Sequence, residues 1–259
     1  KALEKYSYCR ADGLSVICDD FKAHCMAKGA QEQRIAVLRN WIDLDEIRPG
    51  ARLNPFRTEL GLTEDSRVIL FAGTIGLASG ADIMLDVAER LIDDRRIRIV
   101  FVGEGETLAA LKQGASARKL DNMVFSPFQP RERLAEVQAM ADISIVTMRP
   151  DAEQISVPSK VLGYMAAARP VLVAAARESE TARFVLESGA GIVAPPGDPQ
   201  AITDAILAAV DKPREMREMG NSGRRFLEEN LTREHICEGY NDFFQKLLEN
   251  RLTTHSQSF

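Results

Sequence analysis

The sequence predicts an α/β domain: a doubly wound, Rossmann-like parallel sheet with a helical C-terminal tail. Three observations predict it. From about residue 67 short apolar runs alternate with stretches of helical period. The runs are apolar at successive rather than alternate positions, as in strands covered by helices on both faces. Their repeated strand–helix–strand order implies parallel strands joined by right-handed crossovers.

Taken in order, residues 1–10 form an amphipathic helix leading into the strand-like GLSVIC, with a strand at 14–18. A helix follows over about 19–28, and RIAVLRNWID reads as strand plus loop. RVILFAG (67–73) is the first strand of the repeating part. A helix over 80–93 comes next, with Ile83, Val87 and Leu91 on one face. IRIVFVGEG (97–105) is strand and turn, 106–119 a helix, NMVFSP (122–127) a strand and RERLAEVQAM a helix. DISIVTM (142–148), PVLVAAA (170–176) and AGIVAPP (190–196) are the remaining strands, separated by the helices SKVLGYMAAA and ETARFVLESG. From about 198 to 250 the chain reads as successive helices punctuated by Pro213, Gly220 and Asn230-Leu231-Thr232. Thr232 is placed to cap the last helix, with Glu234 in its first turn. Residues 253–259 read as frayed. Three parts are expected: 1–45, the end of a preceding domain and a linker; 46–232, the main α/β domain; and 233–259, a final helix and tail. The start at Lys1, directly in a helix, suggests a piece of a longer protein.

Composition removes several function classes. The 259 residues carry 33 basic and 38 acidic side chains, a net charge of −5, so nucleic acid and anionic lipid gain no global attraction. No apolar run reaches the length of a membrane span. Cys9, Cys18, Cys25 and Cys237 show no metal-ligand spacing with the three histidines and read as free thiols. No metal and no cofactor is expected.

Ligands of open α/β sheets bind at the carboxyl ends of the strands, and four such ends carry chemistry. GTIGLASG (73–80) is a glycine-rich loop before a helix; Gly73, Gly76 and Gly80 either present backbone amides to a phosphate or simply permit a tight turn. GEGE (103–106) lacks the third glycine of the dinucleotide fingerprint, because position 108 is Leu, and a plain turn is the simpler reading. In SPFQP (126–130), Phe128 is either a stacking platform for a base or a hinge aromatic. Last, Ser159 and Lys160 stand at a helix start, where the dipole prefers anions and a lysine gains nothing. Either Lys160 is merely solvated, or a negative partner shares the spot, and a mobile ammonium suits phosphate. A glycine loop and a lysine-bearing helix start on one sheet are able to converge on a single diphosphate.

With those residues in view, the chain resembles the donor-binding half of a GT-B glycosyltransferase of retaining family 4, nearest the subgroup that builds O-antigen, capsule or colanic-acid-type polysaccharides. ADGLSVICDDFKAHCMAKGA and RIAVLRNWID resemble the close of an acceptor domain and the start of a linker. NPFRTELGL, VILFAGTIGLASGADIML, FVGEGE, ADISIVTM, SVPSKVLGYMAAARPVLVAA and GAGIVAPPGDPQAI follow in family order. The resemblance implies that Gly73, Thr74, Ile75 and Gly76 lie against the diphosphate or donor sugar, that Gly103 and Glu104 lie near the nucleotide, and that Ser159 and Lys160 meet the diphosphate. It also implies retention without an obligatory carboxylate nucleophile, and a final helix crossing back onto the acceptor domain. Two departures stand out. The cations many members carry in the first loop are replaced by Thr74 and Ser79. The second Glu of the family's E-x7-E pair, which grips the ribose, is Gly163 here, while the first aligns with Ile155, two residues from Glu153. Lys160 is left as the plainest cation for the leaving group, aided by Arg149 or Arg177.

The expected function is transfer of a sugar from a nucleoside-diphosphate donor, UDP- favoured over GDP-, to a polysaccharide or lipid-linked acceptor. Lys160 is the candidate catalytic group, and leaving-group charge is what needs stabilising. This chain would supply mainly the donor half and transfer nothing alone, in a cytoplasmic protein that reaches the inner membrane face through the missing N-terminal domain. The alternative is a non-catalytic nucleotide-sugar-binding module of the same fold. A GT-B epimerase would need other acidic and histidine residues, and a dehydrogenase would need a GxGxxG with a downstream acid.

Overall fold

A computed structural model describes residues 2–149 and 159–256, with side chains of the final helix described up to residue 249. Residues Lys1–Asp43 and Glu229–Phe259 group as one compact unit, and Leu44–Glu228 as a second.

In the smaller unit, α1 (Ala2–Arg10) precedes a βαβ element in which β1 (Leu14–Val16) pairs in parallel with β2 (Ile35–Val37) across α2 (Asp19–Ala27). Val16, Cys25, Ala30 and Ile35 form its core, with Tyr8, Leu14, Phe21 and Val37 packed against them. The larger unit opens with the short α3 (Pro55–Glu59), whose Asn54 cap accepts a hydrogen bond from the Arg57 N–H at 3.0 Å. The repeating part follows: β3 (Arg67–Ala72), α4 (Ile83–Arg90), β4 (Ile97–Val102), α5 (Leu108–Ala117), β5 (Met123–Ser126), α6 (Leu134–Ala139), β6 (Ile143–Thr147), α7 (Ser159–Ala166), β7 (Val171–Ala174), α8 (Glu180–Glu187), β8 (Gly191–Ala194), α9 (Pro199–Val210) and α10 (Pro213–Asn230).

The six strands β3 to β8 form one parallel sheet in the order β5-β4-β3-β6-β7-β8. The expected doubly wound α/β fold is present. Ile69, Phe71, Ile99, Phe101, Ile145 and Leu172 share one buried face with Met84, Val87, Leu111, Ile202 and Ile206 of α4, α5 and α9. Their neighbours Val68, Leu70, Val100, Val146 and Val173 are buried on the other face, which is why the strands read as unbroken apolar runs. The chain winds outward from β3 to β5, returns to β6 beside β3, and winds the other way to β8. That reversal leaves a crevice at the carboxyl ends of β3 and β6, the usual place for a ligand in such sheets.

Two readings of the helical tail need correction. Gly220 does not break a helix; it lies inside α10, where a Cβ would come within 2.2 Å of the Ala168 carbonyl oxygen, so its bareness allows close packing. The last helix, α11 (Arg233–Ser256), continues past residue 253 instead of fraying there, since extending a long helix by one residue adds a hydrogen bond at little nucleation cost. Its start is capped as expected, Thr232 Oγ1 accepting from the His235 N–H at 3.2 Å. Within the smaller unit α11 packs so closely on Gly13 that a Cβ there would lie 2.7 Å from Phe243 and Leu247.

Candidate functional site

The loop after β3 is built against the loop after β4, backbone to backbone. The ladder continues past the strands: the Gly73 N–H donates to the Val102 carbonyl at 2.9 Å, the Ile75 N–H to Glu104 at 2.8 Å, and the Gly103 N–H to Ser126 at 3.0 Å. Gly103 (φ 152°) and Gly105 (φ 155°) are required by this approach. A Cβ on Gly103 would lie 2.0 Å from the Gly73 carbonyl oxygen, and one on Gly105 2.4 Å from that of Ile75. The glycines of GEGE are therefore more than a plain turn. They let two loops touch at the crevice.

The touching leaves donors facing outward. Among the described residues, the N–H groups of Thr74, Gly76 and Glu104 make no hydrogen bond, and Thr74 and Glu104 are exposed. Ile75 departs from expectation. Its side chain is fully buried in the core. Its N–H is spent on Glu104, and its carbonyl accepts from the Thr107 N–H and hydroxyl at 3.1 and 2.7 Å. Ile75 anchors the loop and has no polar group left for a ligand. The Ser79 hydroxyl donates to the Gly76 carbonyl at 2.6 Å, and Thr147 Oγ1 at the end of β6 donates to the Ser79 carbonyl at 2.6 Å. The loop is thereby tied down on both sides of the crevice.

Helix α7 brings Ser159 and Lys160 to the same place. Its register is set by Tyr164, fully buried, whose hydroxyl accepts from the Ala72 N–H at 2.8 Å and donates to the Ala72 carbonyl at 3.1 Å. Burial raises the Tyr164 phenol pKa far out of reach of ordinary pH. One turn earlier, Lys160 reaches back over the end of β3. Its Nζ stands 3.8 Å from the Phe71 ring centroid, and its Cε would be 3.6 Å from a Cβ placed on Gly73. Among the described residues no hydrogen bond or ion pair reaches this ammonium, and burial pulls its pKa down to about 8. Contact with an aromatic face compensates only part of the lost hydration. An anion would compensate more.

The remaining candidates differ in how closely they gather. Ser159 is exposed at the helix start, and Phe128 is half exposed on the loop after β5, stacked on no other ring among the described residues. Arg149 follows β6 beside Gly80, where a Cβ would meet its Cγ at 3.1 Å. Arg177 is exposed on the loop after β7. Glu153 and Ile155 lie outside the described residues. Gly163 is buried inside α7, and a Cβ there would lie 2.6 Å from Gln138 Nε2. No acidic side chain could take that position without displacing Gln138, whose own buried Oε1 has no partner among the described residues.

Sequence reasoning missed Tyr164, Phe71 and Gln138, which position or surround the expected residues. Their only signal was an aromatic in mid-helix, another mid-strand, and one amide on an otherwise apolar helix face. An electropositive crevice of backbone N–H groups and one underpaired lysine is suited to holding a diphosphate.

A family profile described as glycosyl transferases group 1 matches residues 54–226. WcaI of Escherichia coli (strain K12), whose name places it among glycosyl transferases of colanic acid biosynthesis, is 25% identical over 237 residues, covering 91% of this chain and 57% of that protein. The chain thus spans a little over half the length of that relative. Among solved structures, sucrose-phosphate synthase from Thermosynechococcus elongatus superposes with a TM-score of 0.79 at 18% identity, covering 96% of this chain and 61% of the other. Anabaena Alr3699/HepE in complex with UDP-glucose gives 0.78 at 15% identity, covering 96% and 66%. The fold is the Rossmann-like domain of the GT-B architecture.

Proposed function

Because the chain belongs to the glycosyl transferases group 1 family, we propose that it is the donor-binding half of a retaining family 4 glycosyltransferase that moves a sugar from a UDP-sugar to a polysaccharide or lipid-linked acceptor. The observation that carries this reading is Lys160: a half-buried ammonium with no partner among the described residues, held against Gly73 beside unused backbone N–H groups. Breaking the bond between sugar and diphosphate leaves growing negative charge on the departing oxygen. Lys160, the Ser159 hydroxyl and the N–H groups of Thr74 and Gly76 are placed to stabilise it. Glu104 and Phe128 border the nucleotide side. The acceptor, and any base that activates it, belong to an N-terminal domain outside this chain, which would also supply contact with the inner membrane face. That HepE was solved with UDP-glucose supports the choice of nucleotide.

Titration calorimetry of the chain with UDP and GDP tests the reading. Saturable UDP binding that is tighter than GDP binding and weakened in Lys160→Ala is expected. Equal affinity in wild type and variant would remove Lys160 from the site. One observation favours a second reading, a module that binds a nucleotide sugar without transferring it: Gly163, with the Gln138 amide packed beside it, stands in the place of the ribose-gripping glutamate. Radiolabelled sugar transfer by the full-length protein onto a lipid-linked acceptor decides against that module, and its absence despite UDP binding decides for it.

A further inference from the structure

At the opposite, N-terminal edge of the same sheet lies a recess of about 190 Å³, lined among others by Arg52, Arg67, Asp142, Arg169 and Arg217. Arg57 stands directly behind it, 1% exposed. Four guanidinium groups and one carboxylate thus line the recess, with Arg57 paired to the same carboxylate, in a chain whose net charge is −5.

Two of the five are accounted for by folding. Arg52 meets Asp142 at 3.0 Å and the Glu64 and Ser66 carbonyls at 2.8 and 3.1 Å. Arg57 meets Asp142 at 3.4 Å and the Met140, Ser66 and Thr63 carbonyls at 2.8, 2.5 and 3.1 Å. The other three are not. Among the described residues, Arg67 makes only long contacts to the Glu64 and Asp65 carbonyls, 3.5 and 3.4 Å, and its buried Nε has no partner. Arg169 gives one Nη to the Gly50 carbonyl at 2.7 Å, and its buried Nε likewise has no partner among the described residues. Arg217 is exposed and makes no hydrogen bond or ion pair among the described residues. Asp142 is already shared between Arg52, Arg57 and the Val68 N–H at 2.8 Å. Burial, followed by the charges of Arg52, Arg57 and Arg217, pulls the Arg169 pKa down despite Asp142. Helix α9 ends and α10 begins in the wall at Val210 and Pro213, so their dipole ends oppose each other and the side chains set the field.

Buried donors left unmade are costly, and unscreened like charges add to that cost. Planar guanidinium forks match the oxygens of a phosphate group. We propose that this recess binds a phosphate group, free or as a monoester, through Arg67, Arg169 and Arg217, at a site separate from the crevice holding Lys160. Pro170, Ala209 and Met216 also line the recess and give it an apolar wall.

The test is calorimetric titration with inorganic phosphate against sodium chloride at matched ionic strength, with saturating UDP present to occupy the other crevice. One phosphate per chain is expected to bind, with affinity falling roughly ten- to a hundred-fold in Arg217→Gln, as for loss of one charge-assisted hydrogen bond. Arg217 is exposed and has no bonding partner among the described residues, so this variant should fold; Arg67→Gln is the second variant. Absence of phosphate binding beyond the chloride control, or binding unaltered in both variants, overturns the proposal. Cosedimentation with vesicles containing phosphatidic acid, compared with phosphatidylcholine alone, distinguishes the source. Pelleting that is lost in Arg217→Gln and competed by phosphate assigns a lipid headgroup. Phosphate binding without pelleting assigns a soluble phosphate.

Discussion

The two edges of the six-stranded sheet solve the same electrostatic problem with different materials. At the carboxyl edge, the crevice is made of backbone: two glycine-bearing loops pressed together, N–H groups left over, and a single lysine whose charge is underpaid by its surroundings. At the amino edge, the recess is made of side chains: Arg52, Arg67, Arg169 and Arg217 line it, and Asp142 pairs with Arg52 and with Arg57. Backbone donors are fixed by the loop path and cost no side-chain entropy, so the first edge is prepared before any ligand arrives. The second edge depends on Asp142 to hold long side chains in place, and part of its positive charge stays unanswered. The comparison teaches that exposure of charge is a poor guide. The crevice proposed to hold a diphosphate carries less positive charge than the recess behind it.

The sharpest break in that comparison is Asp142→Ala. It leaves Arg57 buried without its counter-ion and should cost about 3–5 kcal/mol of stability, read by urea denaturation, while UDP affinity per folded molecule stays unchanged. Lys160→Met should do the reverse: lower UDP affinity by about ten- to a hundred-fold, the loss of roughly 1.5–3 kcal/mol from a charge-assisted contact, without destabilising the fold at pH 7. Gly103→Ala probes the backbone side of the contrast. Its methyl would enter the Gly73 carbonyl, so about 1–3 kcal/mol of stability should be lost and UDP binding weakened, measured by melting temperature with and without nucleotide.

A further expected effect is a pH dependence. The folded Lys160 pKa, about 8, lies below its ordinary 10.5, so the unfolded chain holds more protons between those values. Wild-type stability should therefore rise from about pH 8 to pH 10.5 relative to Lys160→Met, and UDP affinity should fall over the same rise as the ammonium is lost. Denaturation curves across that range show whether burial of this one cation is as costly as its position implies.

The nearness of Lys160 to Gly73 has local antecedents in the sequence. Glycines at strand ends and the Ser159-Lys160 helix start are local signals, and the winding of the sheet follows from strand–helix order, so their meeting was foreseeable. Ile75 was misjudged because a loop residue's side-chain direction depends on what packs beneath it, and Thr107 and Glu104 claim its backbone from another loop. The arginine recess was invisible for a related reason. Its members stand at 52, 57, 67, 169 and 217, separated by up to 165 positions, and nothing in their spacing marks them as neighbours.

By itself the sequence determined the α/β class, the order of elements and which short stretches carry chemistry, because hydrophobic period, turn residues and helix ends act over a few positions. The tertiary structure alone decided three things: that Gly103 must stay bare against Gly73, that Gln138 lies beside Gly163, and that Arg52 and Arg57 share Asp142 at a recess lined by three further arginines. Each depends on which distant backbone or side chain comes within a few ångströms, and chain order does not encode that distance.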